Sequence, residues 1–230
     1  MGENERLEEL MEKTGWHFKD RSLLITALTH ASLVNERTIN RTEHYERQEF
    51  LGDAVLEFVV SDYLFRTRRE MNEGEMTKLR ASLVCEQTLA LCAKQLDLSK
   101  YILLGRGEEK IGSRYHDSIV SDVFEAVIGA LYLDGGIEPA REFIKRYVLN
   151  DYREKSLFVD SKSILQSHAQ KEGLALSYEL VSEKGPDHEK EYEMRALVGG
   201  EEKGRGKGRT KKAAEQHAAY FALKSMGLEE

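Results

Sequence analysis

Two apolar stretches of this 230-residue chain are interrupted by acids at helical spacing: Glu49 and Asp53 in QEFLGDAVLEFVV, and Asp122 and Glu125 in SDVFEAVIGALYL. On α-helices an i,i+4 pair and an i,i+3 pair each lie on one face, stacked a turn apart. Acids set among Phe, Leu, Val and Ile are not solvated surface groups, and like charges in a half-buried place repel unless a cation or a proton separates them. A fold that buries both stretches must therefore bring to them a proton or a cation, the latter either Arg or Lys partners or a metal. Oxygen-only ligands on rigid helices suit Mg2+, or Mn2+ in its place, hard ions that keep several waters and accept a phosphate oxygen. Glu46, three residues before Glu49, extends the first pair into a stripe, whereas Glu73 in MNEGEMTKL is expected in a loop that does not aim it. Gly52, inside the first stretch, weakens a helix by about 1 kcal/mol relative to Ala and marks a place where another backbone or a ligand comes close.

Helical periodicity recurs over residues 3–14, in RSLLITALTHASLV, over 45–69, in MTKLRASLVCEQTLALCAKQL, over 122–132 up to the stop at Asp134-Gly135-Gly136, and from Pro139 to Tyr152. After DYREKSLFVD the pattern changes to a helix (SKSILQSHAQKE), three alternating stretches (LSYELVSE, YEMRALVGG, EEKGRGKG) and a final helix (KKAAEQHAAYFALKSM). The expectation is an all-α domain over 1–152, a polar connector over 153–159 and a small α+β domain of order α-β-β-β-α over 160–228. Cys85 and Cys92 match no zinc spacing and read as free thiols. The charged N-terminus, and the lack of an apolar run near the ~18 residues of a membrane span, predict a cytosolic protein without membrane contact.

The run HYERQEFLGDAVLEF resembles the signature of the ribonuclease III family, and SIVSDVFEAVIGALYLDGG resembles that family's second acidic motif. With the C-terminal domain, the resemblance spans essentially the whole chain. It implies a homodimeric, Mg2+-dependent endonuclease of double-stranded RNA that leaves 5′-phosphate and 3′-hydroxyl ends and processes structured precursors such as ribosomal RNA. Glu49, Asp53, Asp122 and Glu125 match the family's metal-binding catalytic acids, and Glu46 and Glu73 match acids that assist around the scissile bond. Phe50 matches an aromatic at the subunit interface; its alternative is the core of its own domain. Gln48 and Ser121 stand where relatives commonly have Leu and Ala. His30, His44 and His116 lack a recognisable partner and are read as structural.

Net charge is −7, unevenly spread: residues 1–159 hold 22 basic against 28 acidic side chains, and residues from Asp160 onward 12 against 13. Within the second part Lys203, Arg205, Lys207, Arg209, Lys211 and Lys212 alternate with glycines and Thr210, with no acid among them, and lead into the last helix. A helix N-terminus preceded by such a run offers N–H groups, dipole and formal charge to a phosphate. GRGKGRTKKAAEQHAA resembles the double-stranded RNA-binding domain, which reads two minor grooves and the intervening phosphates mostly by shape. By that resemblance Ser163, Gln166 and Gln170 reach one minor groove, His188 another, and Thr210, Lys211 and Lys212 the phosphates.

Overall fold

Breaks in the helical pattern fall where the chain finds a cap or a competing backbone partner. The computed structural model describes residues 3–37, 43–185 and 190–228, in two compact units, 1–152 and 153–230. The first begins with α1 (Glu3–Thr14), α2 (Arg21–Leu28) and α3 (Ala31–Arg37), the Asp20 carboxylate capping α2 by accepting from Ser22 N at 2.9 Å. The sequence predicts one helix across RSLLITALTHASLV, but it breaks at Thr29 and His30. Other backbone groups capture that segment: His30 N donates to Leu103 O (3.0 Å), Leu103 N to Leu28 O (2.8 Å) and Tyr45 N to Thr29 O (2.9 Å). These bonds satisfy groups that a continuous helix would have used internally.

α4 (Glu46–Thr67), α5 (Glu73–Val84), α6 (Glu86–Gln95) and the short α7 (Arg106–Lys110) follow. The helix expected over MTKLRASLVCEQTLALCAKQL is divided at Cys85, which takes an extended backbone at ψ 156°. α8 (Asp117–Gly135) buries the apolar residues of Val120 to Leu131 on most sides and leaves Asp122 and Glu125 half-buried. α9 (Ile137–Ile144) starts two residues before Pro139 and continues through a π turn to Leu149; the extended backbone of Asn150, at ψ 132°, ends it short of Tyr152. α4 turns Gln48, Gly52, Val55, Leu56, Val59 and Leu64 inward. Its outer side leaves Phe50, Phe58 and Phe65 exposed by 81%, 57% and 73%, so Phe50 is not part of its own domain's core.

The second unit holds α10 (Tyr152–Lys171) from Arg153 on, an antiparallel sheet in the order β1 (Leu176–Lys184), β2 (Glu191–Val198), β3 (Glu201–Gly208), and α11 (Lys211–Ser225). This is the expected α-β-β-β-α order. The stretch 153–159, expected as a connector, is helical and packs on α11: the Phe158 ring lies 5.4 Å from that of Tyr220, and Lys224 Nζ is 2.7 Å from Glu154. It contains no glycine or proline to stop the helix, and it has apolar residues to bury.

β3 explains its own glycines. A Cβ on Gly204, Gly206 or Gly208 would lie 2.3 to 2.6 Å from backbone of α11, so the helix rests directly on the strand, with Ala214, Ala218 and Ala222 buried against it. Because strand side chains alternate, Lys203, Arg205 and Lys207 point to the other face. Among the described residues no helix is long and apolar enough to cross a membrane.

Candidate active site and nucleic-acid interface

The four acids meet because two glycines let α4 and α8 touch. A Cβ on Gly52 would stand 1.8 Å from the Glu125 carbonyl oxygen, and one on Gly129 2.2 Å from the Gln48 carbonyl oxygen. The close approach expected at Gly52 is thus with another backbone. Gly52 lies between Glu49 and Asp53, and Gly129 one turn beyond Glu125, so the contact that joins the helices also joins their acid-bearing turns.

Their electrostatics reflect that enforced proximity. Burial, followed by the charges of Asp53, Glu49 and Asp122, pushes Glu125 up to about 8. Burial, then Asp122, Glu46 and Asp53, pushes Glu49 up to about 7. Asp53 is raised by partial desolvation at the rim and by Glu57. Asp122 is raised by burial against the opposing pull of the Tyr45 hydroxyl, with Glu86 adding to the rise and Ser121 and His30 working against it. Among the described residues none of the four forms an ion pair with Lys or Arg, so the internal salt bridges that could have explained the acids are not made. Nor, among those residues, do three ligand-type side chains gather tightly enough to grip an ion on their own. In chemistry the set fits a hard divalent ion, since such an ion needs only one or two carboxylates and completes its shell with water and phosphate.

Glu46 belongs to this neighbourhood: it is exposed, its charge helps raise Glu49, and it stands 3.8 Å from His44 Nδ1. Glu73 is not in a loop. It is the first residue of α5, just after the Asn72 cap, accepts from Thr77 Oγ1 at 3.1 Å, and contributes to none of the four shifts. Sequence reasoning missed Glu57 and Glu86, although Glu57 follows Asp53 by one helical turn. It also set aside His30, and took Tyr45 only as the start of a helix. Yet the Tyr45 hydroxyl lies 3.5 Å from Asp122 Oδ2, and the His30 ring packs on Tyr45.

In the second unit Ser163, Gln166 and Gln170 are exposed along one side of α10, opposite the buried Ser161, Leu165 and Ala169. Thr210 caps α11, its hydroxyl oxygen accepting from Ala213 N at 3.1 Å. Lys211 and Lys212 are exposed in a first turn that has no acid, Lys211 Nζ lying 5.8 Å from the centre of the Tyr192 ring. His188 falls outside the described residues. The strand cations differ from the expectation of a phosphate-facing run: Lys203 pairs with Glu201 (2.7 Å), Arg205 with Glu202 (3.0 Å) and Lys207 with Glu191 (3.2 Å). Glu201 and Glu202 precede the run on the same strand, whereas Glu191 comes from β2, a cross-strand partner that a one-dimensional count of the run does not reveal.

Comparison with known proteins identifies both domains. Residues 20–152 match the family model described as ribonuclease-III-like, and residues 161–226 match the double-stranded RNA binding motif. The chain is 45% identical over 225 residues to ribonuclease 3 of Bacillus velezensis, covering 96% of this chain and 90% of that one. It is 47% identical over 221 residues to ribonuclease 3 of Anoxybacillus flavithermus, covering 95% and 93%. Among solved structures, the nuclease domain of ribonuclease III from Campylobacter jejuni superposes with a TM-score of 0.58 at 42% identity, covering 63% of this chain and 96% of that domain. The chain belongs to the ribonuclease III family and is an endoribonuclease with a double-stranded RNA-binding domain.

Proposed function

We propose that this enzyme hydrolyses phosphodiesters of double-stranded RNA at the crossing of α4 and α8, using Mg2+, for which Mn2+ substitutes. Glu49, Asp53, Asp122 and Glu125 hold the ion, Glu46 assists at the rim, and Glu73, whose charge none of the four feels, takes no part in holding it. The observation that carries this reading is a set of neighbouring carboxylates without a basic partner, Glu49, Asp122 and Glu125 half-buried and Asp53 exposed at the rim, with Glu49 and Glu125 pushed up to about 7 and 8. Family membership supports it, because the family is in general divalent-metal dependent. When bound, the ion supplies charge neutralisation at the phosphate and an activated water. The acids fix its place and orient water for in-line attack, with departure of the 3′ oxygen and a 5′-phosphate on the other product. The substrates are structured precursors such as ribosomal RNA, met in the cytoplasm, where the unbridged Cys85 and Cys92 stay reduced.

In the second domain Ser163, Gln166 and Gln170 face a minor groove, while Thr210, Lys211 and Lys212 at the start of α11 meet phosphate. Two copies join through the outer side of α4, where the large apolar side chains of Phe50, Phe58 and Phe65 are exposed. The Campylobacter jejuni structure was described for flexibility in a region involved in dimer formation, which is in keeping with an assembly built on this domain.

Glu125→Gln keeps the shape of a ligand but removes its charge. Cleavage of double-stranded RNA at millimolar Mg2+ is expected to fall by about three orders of magnitude with RNA binding retained. Wild-type turnover would sink the reading. Phe50→Asp places an uncompensated carboxylate in the paired surface and is expected to give folded monomers in sedimentation. A folded dimer would remove Phe50 from the interface.

A further inference from the structure

Tyr45 immediately precedes α4 and is buried, yet its polar end reaches the acid cluster, the hydroxyl lying 3.5 Å from Asp122 Oδ2. It is held there from several sides. Its backbone N donates to Thr29 O at 2.9 Å, which fixes the start of α4 against the break between α2 and α3. Its ring meets that of His30 with centroids 5.7 Å apart and planes tilted by 51°. His30 is itself fixed: Nδ1 accepts from Ser32 N at 3.1 Å and lies 2.8 Å from Ser32 Oγ, which also accepts from Gly105 N at 2.9 Å. A backbone N–H only donates, so Nδ1 is the unprotonated nitrogen in that contact, and the ring cannot turn without breaking it. The bridge between Thr29 and Leu103 ties the whole column to the body of the helical unit.

Such a column has work to do at Asp122. A carboxylate repelled by its neighbours and free of Lys or Arg would swing toward solvent unless something directed it. A cation could direct it but would cancel the charge that an incoming ion needs. A phenol donates a hydrogen bond to one oxygen and leaves the charge in place, as outer donors to ligating carboxylates do. At 3.5 Å the contact is long for an O–H···O bond, as contacts in a site often are before its complex forms.

We propose that Tyr45, braced by His30 and Ser32, is a positioning residue that holds the Asp122 carboxylate in the orientation cleavage requires. The proposal rests on the reading of the four acids given above. Tyr45→Phe keeps the ring on His30 and removes only the hydroxyl. Its kcat on double-stranded RNA is expected to fall about tenfold or more and its Mn2+ affinity, from calorimetric titration of the metal-free protein, by about as much. KM for RNA should stay within roughly twofold and the melting temperature should hold, since one long contact is lost. Wild-type kcat together with wild-type Mn2+ affinity overturns the proposal. If Tyr45→Phe is too unstable to assay, His30→Ala, which removes the ring packed on Tyr45 and leaves the hydroxyl, is read in the same way: a fall in both supports the brace, and wild-type values overturn it. Glu125→Gln assayed beside them separates the two levels. Should it also cleave at the wild-type rate, the reading of the acids fails; should it be inactive while Tyr45→Phe is wild-type, only the brace fails.

Discussion

The two units use the same backbone device to opposite electrostatic ends. In the helical unit Gly52 and Gly129 let α4 and α8 touch, and the turns brought together carry four acids that no basic side chain neutralises. In the C-terminal unit Gly204, Gly206 and Gly208 let α11 lie on β3, but the strand's period of two sends Lys203, Arg205 and Lys207 to the far face, where glutamates pair with them. Close approach therefore concentrates like charge in one place and sorts it in the other. The first arrangement is costly without a counter-ion and suited to chemistry on phosphate. The second leaves the exposed start of α11 as a concentrated positive site, suited to binding.

The largest effects should come from breaking either contact. Gly52→Ala drives a methyl into the Glu125 carbonyl, which no flexible side chain can relieve, and should destabilise the helical unit by about 3 kcal/mol or more. Gly206→Ala meets Ala218 N at 2.3 Å and should do similar damage in the C-terminal unit. Trp16, the chain's single tryptophan, donates to Asp134 at 2.8 Å within the helical unit, so its fluorescence reports unfolding there. Denaturation followed by that signal should shift strongly for Gly52→Ala and little for Gly206→Ala. Equal shifts would mean that the two contacts are not separate devices.

How much of this could be read from the sequence depends on whether the signal is local. Helices, strands and the facing of Glu49 with Asp53 and of Asp122 with Glu125 follow from periods of 3.6 and 2 within short windows, and these were legible. So was close approach at Gly52, though not what approaches it. The break at Thr29 was not, because its cause is a backbone partner at Leu103, far along the chain. Tyr45 was not singled out and His30 was read as structural for the same reason: their relation to Asp122 exists only once α2, α4 and α8 are packed. The basic run misled because its residues are adjacent in sequence but divided in space. Lys211 and Lys212 open a helix, whereas the strand cations face glutamates from β2 and β3.

That division can be sharpened by salt. Changing Lys211 and Lys212 together to Ala should weaken double-stranded RNA binding about tenfold to a hundredfold at physiological salt, and lower the salt slope by roughly one unit per lysine. Lys203→Ala and Lys207→Ala, which disrupt exposed pairs, should leave the slope nearly unchanged. Cleavage by the double variant should recover at low salt, since the acids are untouched and the remaining cations are less screened. If the strand variants flatten the slope as much as the helix variants do, the positive site is a continuous edge, and the contrast drawn with the acid cluster weakens.

The smallest effect tests whether the acid cluster carries the cost assigned to it. A carboxylate whose folded value lies above its unfolded one binds protons more strongly in the native state, so its contribution to stability is lost as pH rises from the unfolded value through the folded one. For Glu125 that window runs from about 4.5 to about 8, and for Glu49 from about 4.5 to about 7. In chelator, the wild-type protein should therefore lose about 1–2 kcal/mol between pH 5 and pH 8 beyond any change seen in Glu125→Gln, a figure kept small because one side of the cluster faces water. Millimolar Mg2+ should erase most of that difference at pH 8 and little of it at pH 5, where protons already separate the charges. Parallel stability curves for wild type and Glu125→Gln across this range, unmoved by Mg2+, would mean that the crossing of α4 and α8 stores no repulsion, and that its acids differ from the charges of the C-terminal sheet only in lacking partners.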